Sequence, residues 1–459
     1  MQGMNSRPPG PGPTPDAFRP PHVTPVTDHR EPAPGLPGLL DELEWRGILH
    51  AATPGAAARL ATGRPIAAYI GFDPTADSLH VGHLIPIFGL VRLQQRGGIP
   101  VPLVGGGTGM IGDPSGRSAE RNLLDVPTLE RNVAAIRAQL ERFLDFSPGP
   151  AQAVMANNYD WLGRISLIDF LRDVGKHFTV PYMLAKDSVQ QRLERGLSFT
   201  EFSYMTLQAF DFMTLYRERG VEMQMGGADQ WGNITAGLEL IRRTTAPGSE
   251  ESPAHGISYK LLLAPSGAKF GKSESGESVW LDPARTTPYA FYQYWLNLDD
   301  RDVPTYLRWF TLWPFARIAA LETTLAERPD AREAQRELAF DVTARVHGEA
   351  EATAAVAVSA ALFQRDPVSD PALLARIHAA TGGPVAGPEA LAGMAALLAE
   401  TGLAPSRGEA RRLIAGGAIT VNGERVTDPA AAVPAPVAGE WLEVRVGKRQ
   451  RAVVRVSRG

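Results

Sequence analysis

The fold of this chain is decided by the stretch Tyr69-Ile-Gly-Phe-Asp73-Pro-Thr75-Ala-Asp-Ser-Leu-His80-Val-Gly82-His83. The apolar run 66–71 predicts a short buried strand, which the turn at Asp73 ends. Apolar residues then recur at helical spacing over 81–95, so His80 and His83 lie where a helix begins. Because the unpaired backbone N–H groups of a helix start attract anions, this junction predicts a phosphate site.

A second group of charged residues lies far downstream, in the Gly/Ser-rich stretch Lys269-Phe-Gly-Lys272-Ser273. Each motif alone is weak, since two histidines beside a glycine also suit the start of an ordinary core helix. Together, imidazole donors and two ammonium groups can stabilise negative charge on a transferred phosphoryl group. The pair therefore favours phosphoryl-transfer chemistry.

The predicted helix from Phe199 to Tyr216 is apolar around most of its circumference. Tyr204, Gln208 and Asp211 follow one another at i, i+4 and i+7, which places them in a single polar line. Polar side chains on a buried helix need partners, so this line predicts the wall of a pocket. The alternative is a solvent-facing stripe, although such stripes usually consist of Lys and Glu.

Composition limits the class of protein. A chain of 459 residues with 44% hydrophobic residues is too long for one core, and we expect two or three domains. The absence of cysteine excludes disulfides, cysteine zinc sites and thiol catalysis. No apolar run approaches the length of a membrane span, and we expect a cytoplasmic protein without membrane partners.

The two ends of the chain differ from its centre. Residues 1–36 hold ten prolines and little apolar material, which predicts a disordered extension. Residues 391–459 hold ten Lys and Arg against six Asp and Glu, whereas the net charge of the whole chain is −4. The remainder therefore carries −8, and the basic charge is concentrated at the C-terminal end.

The motifs resemble those of bacterial tyrosyl-tRNA synthetases, a family of class I aminoacyl-tRNA synthetases. The stretch from His80 to His83 resembles the HIGH signature, and that from Lys269 to Ser273 resembles KMSKS, with both cations kept. The resemblance extends from about Leu39 to the C-terminus. It is also carried by Gly71-Phe-Asp-Pro-Thr-Ala-Asp-Ser-Leu-His80, Gly112-Asp-Pro-Ser-Gly116, Asn157-Asn-Tyr-Asp-Trp161, Ser198-Phe-Thr-Glu-Phe-Ser-Tyr204 and Gly227-Ala-Asp-Gln-Trp-Gly-Asn233.

The resemblance implies an α/β fold with a Rossmann-like parallel-sheet catalytic domain, a small α-helical domain and a C-terminal α+β RNA-binding domain of the ribosomal S-four type. The implied divisions are a disordered extension (1–36), a catalytic domain with the ATP and tyrosine sites (37–285), an anticodon-side helical domain (286–360), a linker (361–390) and the RNA-binding domain (391–459). Although aromatics in the helical domain can stack bases, core packing is the interpretation we favour for them.

The resemblance also implies the activity of a tyrosine–tRNA ligase. Tyrosine reacts with ATP to give tyrosyl-adenylate and pyrophosphate, and the tyrosyl group then passes to the terminal adenosine of tRNA(Tyr). ATP enters as a substrate with Mg²⁺ carried by the nucleotide, and no protein-bound metal or prosthetic group is expected. A homodimer is implied as well, with its interface in the region 167–193, although the apolar residues there fit the core of a monomer equally well.

Roles carried over from the family fall on individual residues. Catalytic roles fall on Thr75, His80, His83, Lys269 and Lys272. Tyrosine binding falls on Tyr69, Asp113, Tyr204, Gln208, Asp211 and Gln230. ATP binding falls on Gly71, Asp73, His80, His83, Arg117, Arg121, Gly227, Asp229, Lys269 and Lys272. The family often has lysine where Arg117 and Ser118 stand in this sequence, which weakens any role at those two positions.

The RNA-binding prediction rests on the pattern near the C-terminus. Ser406 should cap a helix that displays arginines, and Asn422-Gly423 should form a tight hairpin turn. The alternative is a basic, solvated helix that precedes a hairpin. RNA contacts are expected from Arg407, Arg411, Arg412 and Arg425.

Three other functions share some of these features. A tryptophanyl-tRNA synthetase has the same fold, but an indole offers only a hydrogen-bond donor and does not need both Tyr69 and Asp211. A nucleotide adenylyltransferase also uses two histidines around a glycine, but has no need of a basic C-terminal module. A catalytically inactive RNA-binding relative is disfavoured because both signatures keep their charged members.

Overall fold

The computed structural model describes residues 38–113, 115, 124–186, 189–190, 193, 196–245, 247–262, 270–271, 277–364, 366–447 and 450–457. The predicted disordered extension, 1–36, lies outside these residues.

The first part of the described chain alternates strands and helices. Its strands are β1 (Leu49–Ala52), β2 (Ala67–Phe72), β3 (Ile99–Val104), β4 (Ala156–Asn157), β5 (Val221–Gly227) and β6 (His255–Tyr259). Its helices are α1 (Leu39–Trp45), α2 (Pro54–Ala61), α3 (Leu84–Gln95), α4 (Val126–Leu140), α5 (Tyr159–Leu162), α6 (Leu167–Asp173), α7 (Val180–Leu184), α8 (Phe199–Arg219) and α9 (Trp231–Thr245).

The six strands form one sheet in the spatial order β1, β6, β5, β2, β3, β4. All neighbouring pairs are parallel except β1 and β6. The chain first moves from β2 to β3 on one side and later returns as β5 on the other side of β2. Ligands of such sheets bind beyond the carboxyl ends of the strands at this reversal. The predicted parallel sheet is confirmed, and the predicted strand and helix of the first motif are β2 and α3.

A helical region follows the sheet. It contains α10 (Pro288–Leu296), α11 (Val303–Phe310), α12 (Phe315–Glu327), α13 (Glu333–His347) and α14 (Glu349–Phe363). Phe291, Trp295 and Phe310 are fully buried and share one apolar core with Leu84 and Phe88 of α3. The predicted core role of the aromatic residues is confirmed for these three, and the helical region packs directly on the sheet.

Buried charges lie at this junction. Glu42 of α1 contacts Arg46 at 2.6 Å, Arg96 at 2.6 Å and Arg92 of α3 at 3.4 Å. Arg46 donates to the carbonyls of Arg308 and Trp313, and Arg92 donates to carbonyls at the end of α11. These guanidinium groups bond to carbonyls at the end of α11 and just after it, and they thereby fix α11 against α1 and α3.

The C-terminal part of the described chain forms a second sheet with helices beside it. The elements are α15 (Pro371–Thr381), β7 (Val385–Ala386), α16 (Met394–Glu400), α17 (Arg407–Ala415), β8 (Ile419–Val421), β9 (Glu424–Val426), β10 (Trp441–Val446) and β11 (Gln450–Val456). The strand order is β7, β11, β10, β8, β9. Asn422 and Gly423, both with positive φ, form the predicted turn between β8 and β9, and Ser406 caps α17 as predicted.

The span expected as a linker, 361–390, is largely ordered structure. It holds the end of α14, all of α15, and β7, which pairs with β11. Leu374 and Ile377 of α15 are buried in one cluster with Trp441 and Val453. We therefore propose a boundary close to residue 364, which assigns α15 and β7 to the C-terminal domain. Over the described ranges, no helix is both long enough and apolar enough to cross a membrane.

Candidate active site

His80 and His83 lie beyond the carboxyl end of β2, where a short 3-10 turn leads into α3. Their ring centroids are 4.0 Å apart. The backbone N–H of Gly82 donates to Nδ1 of His80, and the backbone N–H of His80 donates to Nδ1 of His83, both at 3.1 Å. With Nδ1 accepting, each neutral ring carries its proton on Nε2. Burial, with the neighbouring His80, lowers the pKa of His83 to about 3, so this ring is a neutral donor at pH 7.

A buried carboxyl group and a buried phenol face the interior of the same crevice. Asp211 of α8 is 1% exposed and accepts from Trp161 Nε1 at 2.7 Å and from Asn158 Nδ2 at 2.9 Å. Burial raises the pKa of Asp211 to about 7, although both hydrogen bonds oppose this rise. The Tyr69 hydroxyl is buried and has no hydrogen-bond partner among the described residues. Burial, with the Asp211 charge nearby, raises the pKa of Tyr69 well above its usual value.

A polar cluster borders this pair. Gln230 donates from Nε2 to Asp113 at 2.6 Å, and Gln208 donates from Nε2 to Gln230 at 3.2 Å. Asn233 donates to the side-chain oxygen of Gln208 at 2.9 Å. Asp113 is 7% exposed and brings a carboxylate to this cluster of amides. The arrangement can receive a cation such as an ammonium group.

Tyr204 is oriented differently from the rest of its polar line. Its hydroxyl donates to Asp73 Oδ2 at 2.9 Å, whereas the resemblance assigns Tyr204 to the α-amino group of tyrosine. Burial raises the pKa of Tyr204 well above its usual value, so the group is a neutral donor. The predicted pocket wall is therefore made of buried or half-buried side chains with partners.

Other predicted residues lie around the same sheet edge. Gly71 is the exposed residue before the last of β2, and a Cβ there would lie 4.0 Å from Leu103 as its nearest neighbour. A Cβ at Gly227 would lie only 2.4 Å from Asp229 Oδ1, so glycine lets that carboxyl fold back on the backbone. Burial, with the charge of Asp113, raises the pKa of Asp229. Thr75 is exposed in the turn after β2.

Four predicted cationic residues, Lys269, Lys272, Arg117 and Arg121, lie outside the described residues. Phe270 and Gly271, from the lysine motif, are described. Phe270 stacks on Phe310 with ring centroids 5.1 Å apart, and the N–H of Gly271 donates to the Tyr294 hydroxyl at 3.0 Å. Where KMSKS has a packing methionine, this chain therefore packs a phenylalanine into the aromatic core of the helical region.

The backbone also joins the two signature motifs. Val81 N–H donates to the Val279 carbonyl, and Val279 N–H donates to the Gly271 carbonyl, each at 3.0 Å. The segment that follows the lysine motif is thus bonded to the residue after His80. Trp280 from this segment lies edge-on to the His80 ring, with centroids 6.1 Å apart.

Several site residues were not assigned from the sequence: Asn158, Trp161, Thr108, Asn233 and Trp280. Asn158 and Trp161 follow β4, and Thr108 follows β3, at the same sheet edge as the predicted residues. Their position after parallel strands is the signal that could have identified them. Asn233 lies on the helix after β5, in a motif already quoted, whereas Trp280 offered no comparable signal.

Comparison with known proteins identifies the family. Residues 61–364 match the family described as tRNA synthetases class I (W and Y), and residues 395–435 match the S4 domain. The tyrosine–tRNA ligase of Anaeromyxobacter dehalogenans strain 2CP-1 is 52% identical over 430 residues, covering 92% of this chain and 100% of that protein. That of Geobacillus stearothermophilus is 47% identical over 434 residues, covering 91% and 99%. The chain belongs to the tyrosine–tRNA ligase family.

Solved structures agree with this placement. A C-terminally truncated mitochondrial tyrosyl-tRNA synthetase from Aspergillus nidulans is 30% identical, covers 71% of this chain and 94% of its own, and superposes with a TM-score of 0.63. The corresponding protein from Coccidioides posadasii is 32% identical, covers 70% and 91%, and gives 0.60. As a member of the tyrosine–tRNA ligase family, the chain is a ligase that joins tyrosine to tRNA at the expense of ATP. The predicted activity is confirmed, as is the predicted S-four-type domain.

Proposed function

We propose that the crevice at the carboxyl ends of β2 and β5 is where tyrosine is activated. The carboxylate oxygen of tyrosine attacks the α-phosphorus of MgATP, the bond from that phosphorus to the bridging oxygen breaks, and pyrophosphate leaves with the electron pair. The terminal adenosine of tRNA(Tyr) then attacks the tyrosyl carbonyl and AMP leaves. No side-chain nucleophile takes part, so catalysis consists of positioning and charge stabilisation.

Tyr69 and Asp211 bind the phenol of the substrate in this proposal. A phenol both donates and accepts one hydrogen bond, so it can donate to the ionised form of Asp211, which the bonds from Asn158 and Trp161 favour, and accept from the buried Tyr69 hydroxyl. Asn158 and Trp161 hold the Asp211 carboxylate by one hydrogen bond to each oxygen. The unpartnered Tyr69 hydroxyl is the observation that supports this assignment most strongly, because a buried polar group without a partner is costly.

The ammonium group of tyrosine binds at the cluster of Asp113, Gln208 and Gln230. The carboxylate of Asp113 supplies the opposite charge, and the two amides can turn their oxygens toward the ammonium group. Since Tyr204 bonds to Asp73, we propose that Tyr204 orients that carboxyl as well as bordering the ammonium group.

The phosphate end is served by His80 and His83 in this proposal. Each neutral ring carries its proton on Nε2, and such N–H groups can donate to the charge that develops on the α-phosphate and the leaving group. We extend the proposal to Lys269 and Lys272 for the departing pyrophosphate, and to Arg117 and Arg121 for the nucleotide, on the basis of their motifs alone.

The nucleoside part of ATP binds along the strand ends. Asp73 and Asp229 supply acceptors for ribose hydroxyls, and Gly71 and Gly227 let the ligand approach the backbone. Thr75 lies in the turn between β2 and His80, and we propose that it contacts the phosphates.

The cytoplasm is the proposed place of action, since tRNA and ATP are available there.

Tyr69→Phe should make the chain less able to reject phenylalanine. In the wild-type pocket, phenylalanine leaves the buried Tyr69 hydroxyl without a partner and offers no donor to the Asp211 carboxylate, whereas in the variant only the missing donor to Asp211 remains. The ratio of tyrosine to phenylalanine activation, from ATP–pyrophosphate exchange, should fall by about tenfold. Tyr289→Phe, a change on α10 outside the crevice, is the control. An unchanged ratio in Tyr69→Phe would show that the phenol pocket lies elsewhere.

We also propose that the chain forms a homodimer through the face made by α6, α7 and the start of α8. Leu167 and Ile168 are each 70% exposed and Phe199 is 78% exposed, and Leu171 and Val180 are about half exposed. Large apolar residues exposed together mark an interaction surface. The face lies beside the tyrosine pocket, because α8 also carries Tyr204 and Asp211.

Ile168→Glu should therefore turn a dimer into a monomer, because it places a charge in a buried apolar interface. Sedimentation velocity of the wild-type chain is expected to give twice the mass of one chain, and the variant half of that. Phe363→Glu changes an equally exposed apolar residue (79%) outside this face and should leave the dimer intact. A monomeric wild-type chain would refute the proposal.

The RNA-binding face is proposed on α17 and the neighbouring hairpin. Arg407, Arg411, Arg412 and Arg425 are exposed there, and two of them also pair with carboxylates on the surface. By contrast, Arg445 and Arg451 pair with buried Glu443 and bond to carbonyls between 361 and 366. Arg445 and Arg451 thus join the C-terminal sheet to the segment 361–366, whereas the arginines of α17 lie on the surface, where phosphates can reach them.

A chain that ends at residue 364 should keep adenylate formation and lose efficient tRNA charging. Every residue proposed for tyrosine or ATP precedes that position, whereas the exposed arginines follow it. Loss of phosphate contacts weakens tRNA binding and flattens its dependence on salt. Burst measurements of adenylate and aminoacylation assays would test both parts. Full charging by the shortened chain would make α17 incidental, and loss of adenylate formation would mean that the two functions are not separable.

A further inference from the structure

The hydroxyl of Thr108 lies between two buried or half-buried carboxyl groups of the site, those of Asp73 and Asp211. It donates to Asp73 Oδ1 at 3.0 Å and accepts from Asn158 Nδ2 at 2.9 Å. The same amide nitrogen donates to Asp211 Oδ2 at 2.9 Å. One threonine hydroxyl therefore links the carboxyl of Asp73 to the amide that holds the carboxyl of Asp211.

Burial and further hydrogen bonds hold Thr108 and Asn158 in this arrangement. Thr108 is 2% exposed and Asn158 is fully buried. The Asn158 side-chain oxygen accepts from the Gly107 N–H at 2.7 Å, which fixes the amide so that both of its hydrogens point to Thr108 and Asp211. A Cβ at Gly105 would lie 2.4 Å from Asp73 Oδ1 and 2.5 Å from the Thr108 hydroxyl. Glycine at position 105 thus makes the contact between Thr108 and Asp73 possible.

We propose that Thr108 is a positioning residue that couples the nucleotide subsite at Asp73 to the phenol subsite at Asp211. The inference rests on the proposed function, which assigns those two carboxyls to ATP and tyrosine. In this proposal Thr108 binds neither substrate directly and acts through Asp73 and Asn158. Its hydroxyl restrains the Asp73 carboxyl directly and the Asp211 carboxyl through the Asn158 amide.

The physical basis is the shared cost of ordering a hydrogen-bond chain. A bound phenol that donates to Asp211 restrains the carboxyl, and through it the Asn158 amide and the Thr108 hydroxyl. Asp73 is then already oriented when the nucleotide arrives. Binding of the nucleotide therefore costs less conformational entropy. Coupling of this kind is reciprocal, and each substrate should tighten the binding of the other by the same factor.

The test compares Thr108→Val, which replaces the hydroxyl by a methyl group of similar size, with Thr108→Ser, which keeps the hydroxyl. The dissociation constant of L-tyrosine is measured with and without saturating α,β-methylene-ATP, and that of the analogue with and without tyrosine. Thr311→Val is the control, since Thr311 is also fully buried and its hydroxyl donates to the Leu307 carbonyl, far from the site.

In the wild-type chain, each ligand should tighten the other by about fivefold or more. In Thr108→Val this factor should fall by severalfold in both directions, with the bond from Tyr204 to Asp73 carrying what remains, while Thr108→Ser and Thr311→Val keep the wild-type factor. A wild-type factor of one, or an unchanged factor in Thr108→Val, would overturn the inference. If the valine variant does not fold, Thr108→Cys replaces it, because a thiol is a weak donor and should lower the factor in part.

Failure of the underlying assignment is a separate outcome. Asp211→Asn should weaken tyrosine binding, and Asp73→Asn should weaken binding of the analogue. If either variant binds its own ligand as tightly as the wild-type chain, the subsites are misplaced and the coupling argument falls with them. If both variants weaken their own ligand and Thr108→Val still keeps full coupling, the coupling role alone is refuted.

Discussion

Alanine at His80 or at His83 is expected to slow the formation of tyrosyl-adenylate by about 10²–10³-fold, or roughly 3–4 kcal/mol. Each imidazole carries its proton on Nε2 and donates to charge that appears only in the transition state, so tyrosine binding should change little. Rapid-quench or stopped-flow kinetics with saturating substrates separate the chemical step from binding.

His50→Ala provides the matched control for these variants. His50 lies on β1 and bonds to the Ser258 hydroxyl at 2.9 Å, outside the crevice, and its loss should leave the chemical step unchanged. A His80→Ala variant with a normal chemical step and a weakened tyrosine dissociation constant would contradict the role that we assign to the histidines.

Glu42→Gln is expected to lower the free energy of unfolding by about 3–5 kcal/mol. The carboxylate is 2% exposed and lies against the buried guanidinium groups of Arg46 and Arg92, with Arg96 beside them. A neutral amide would leave those positive charges buried without their counter-ion. Urea unfolding followed by tryptophan fluorescence measures the loss as a lower midpoint.

The matched control for Glu42→Gln is Glu141→Gln. Glu141 pairs with Arg137 at 2.9 Å, but both side chains are largely exposed, so this change should cost less than about 0.5 kcal/mol. The pKa of Glu42 is lowered to about 2 by the three arginines against the opposing effect of burial. The stabilisation by Glu42 is therefore complete above pH 4.5 and is lost as the pH falls toward 2. Equal losses in the two variants would contradict this account.

Much of the fold could be predicted because short-range patterns and the global structure agree. The apolar run before Asp73 and the helical period after His83 predict β2 and α3 from local sequence alone. The polar line on α8 predicts a pocket wall because Tyr, Gln and Asp on an apolar helix need partners. Both patterns involve only residues that lie close together in the sequence.

The long-range contacts could not be predicted in this way. Glu42 is separated from Arg92 by 50 positions in the sequence, and the bond of Arg46 to the Trp313 carbonyl spans 267 residues. The contacts of Thr108 could not be predicted either. In the sequence it is a polar residue of a glycine-rich stretch, and its hydroxyl meets Asp73 and Asn158 only because β2, β3 and β4 end at the same edge of the sheet. Pairing of β7 with β11 likewise requires a partner 70 residues away, which is why 361–390 reads as a linker.

The most direct test of the central claim is ATP–pyrophosphate exchange by the purified wild-type chain, measured side by side with tyrosine, phenylalanine and tryptophan. The pocket of Tyr69 and Asp211 requires a phenol that both donates and accepts a hydrogen bond. We therefore predict rapid exchange with tyrosine and little or none with the other two amino acids. Comparable exchange with phenylalanine or tryptophan would contradict the assignment of that pocket.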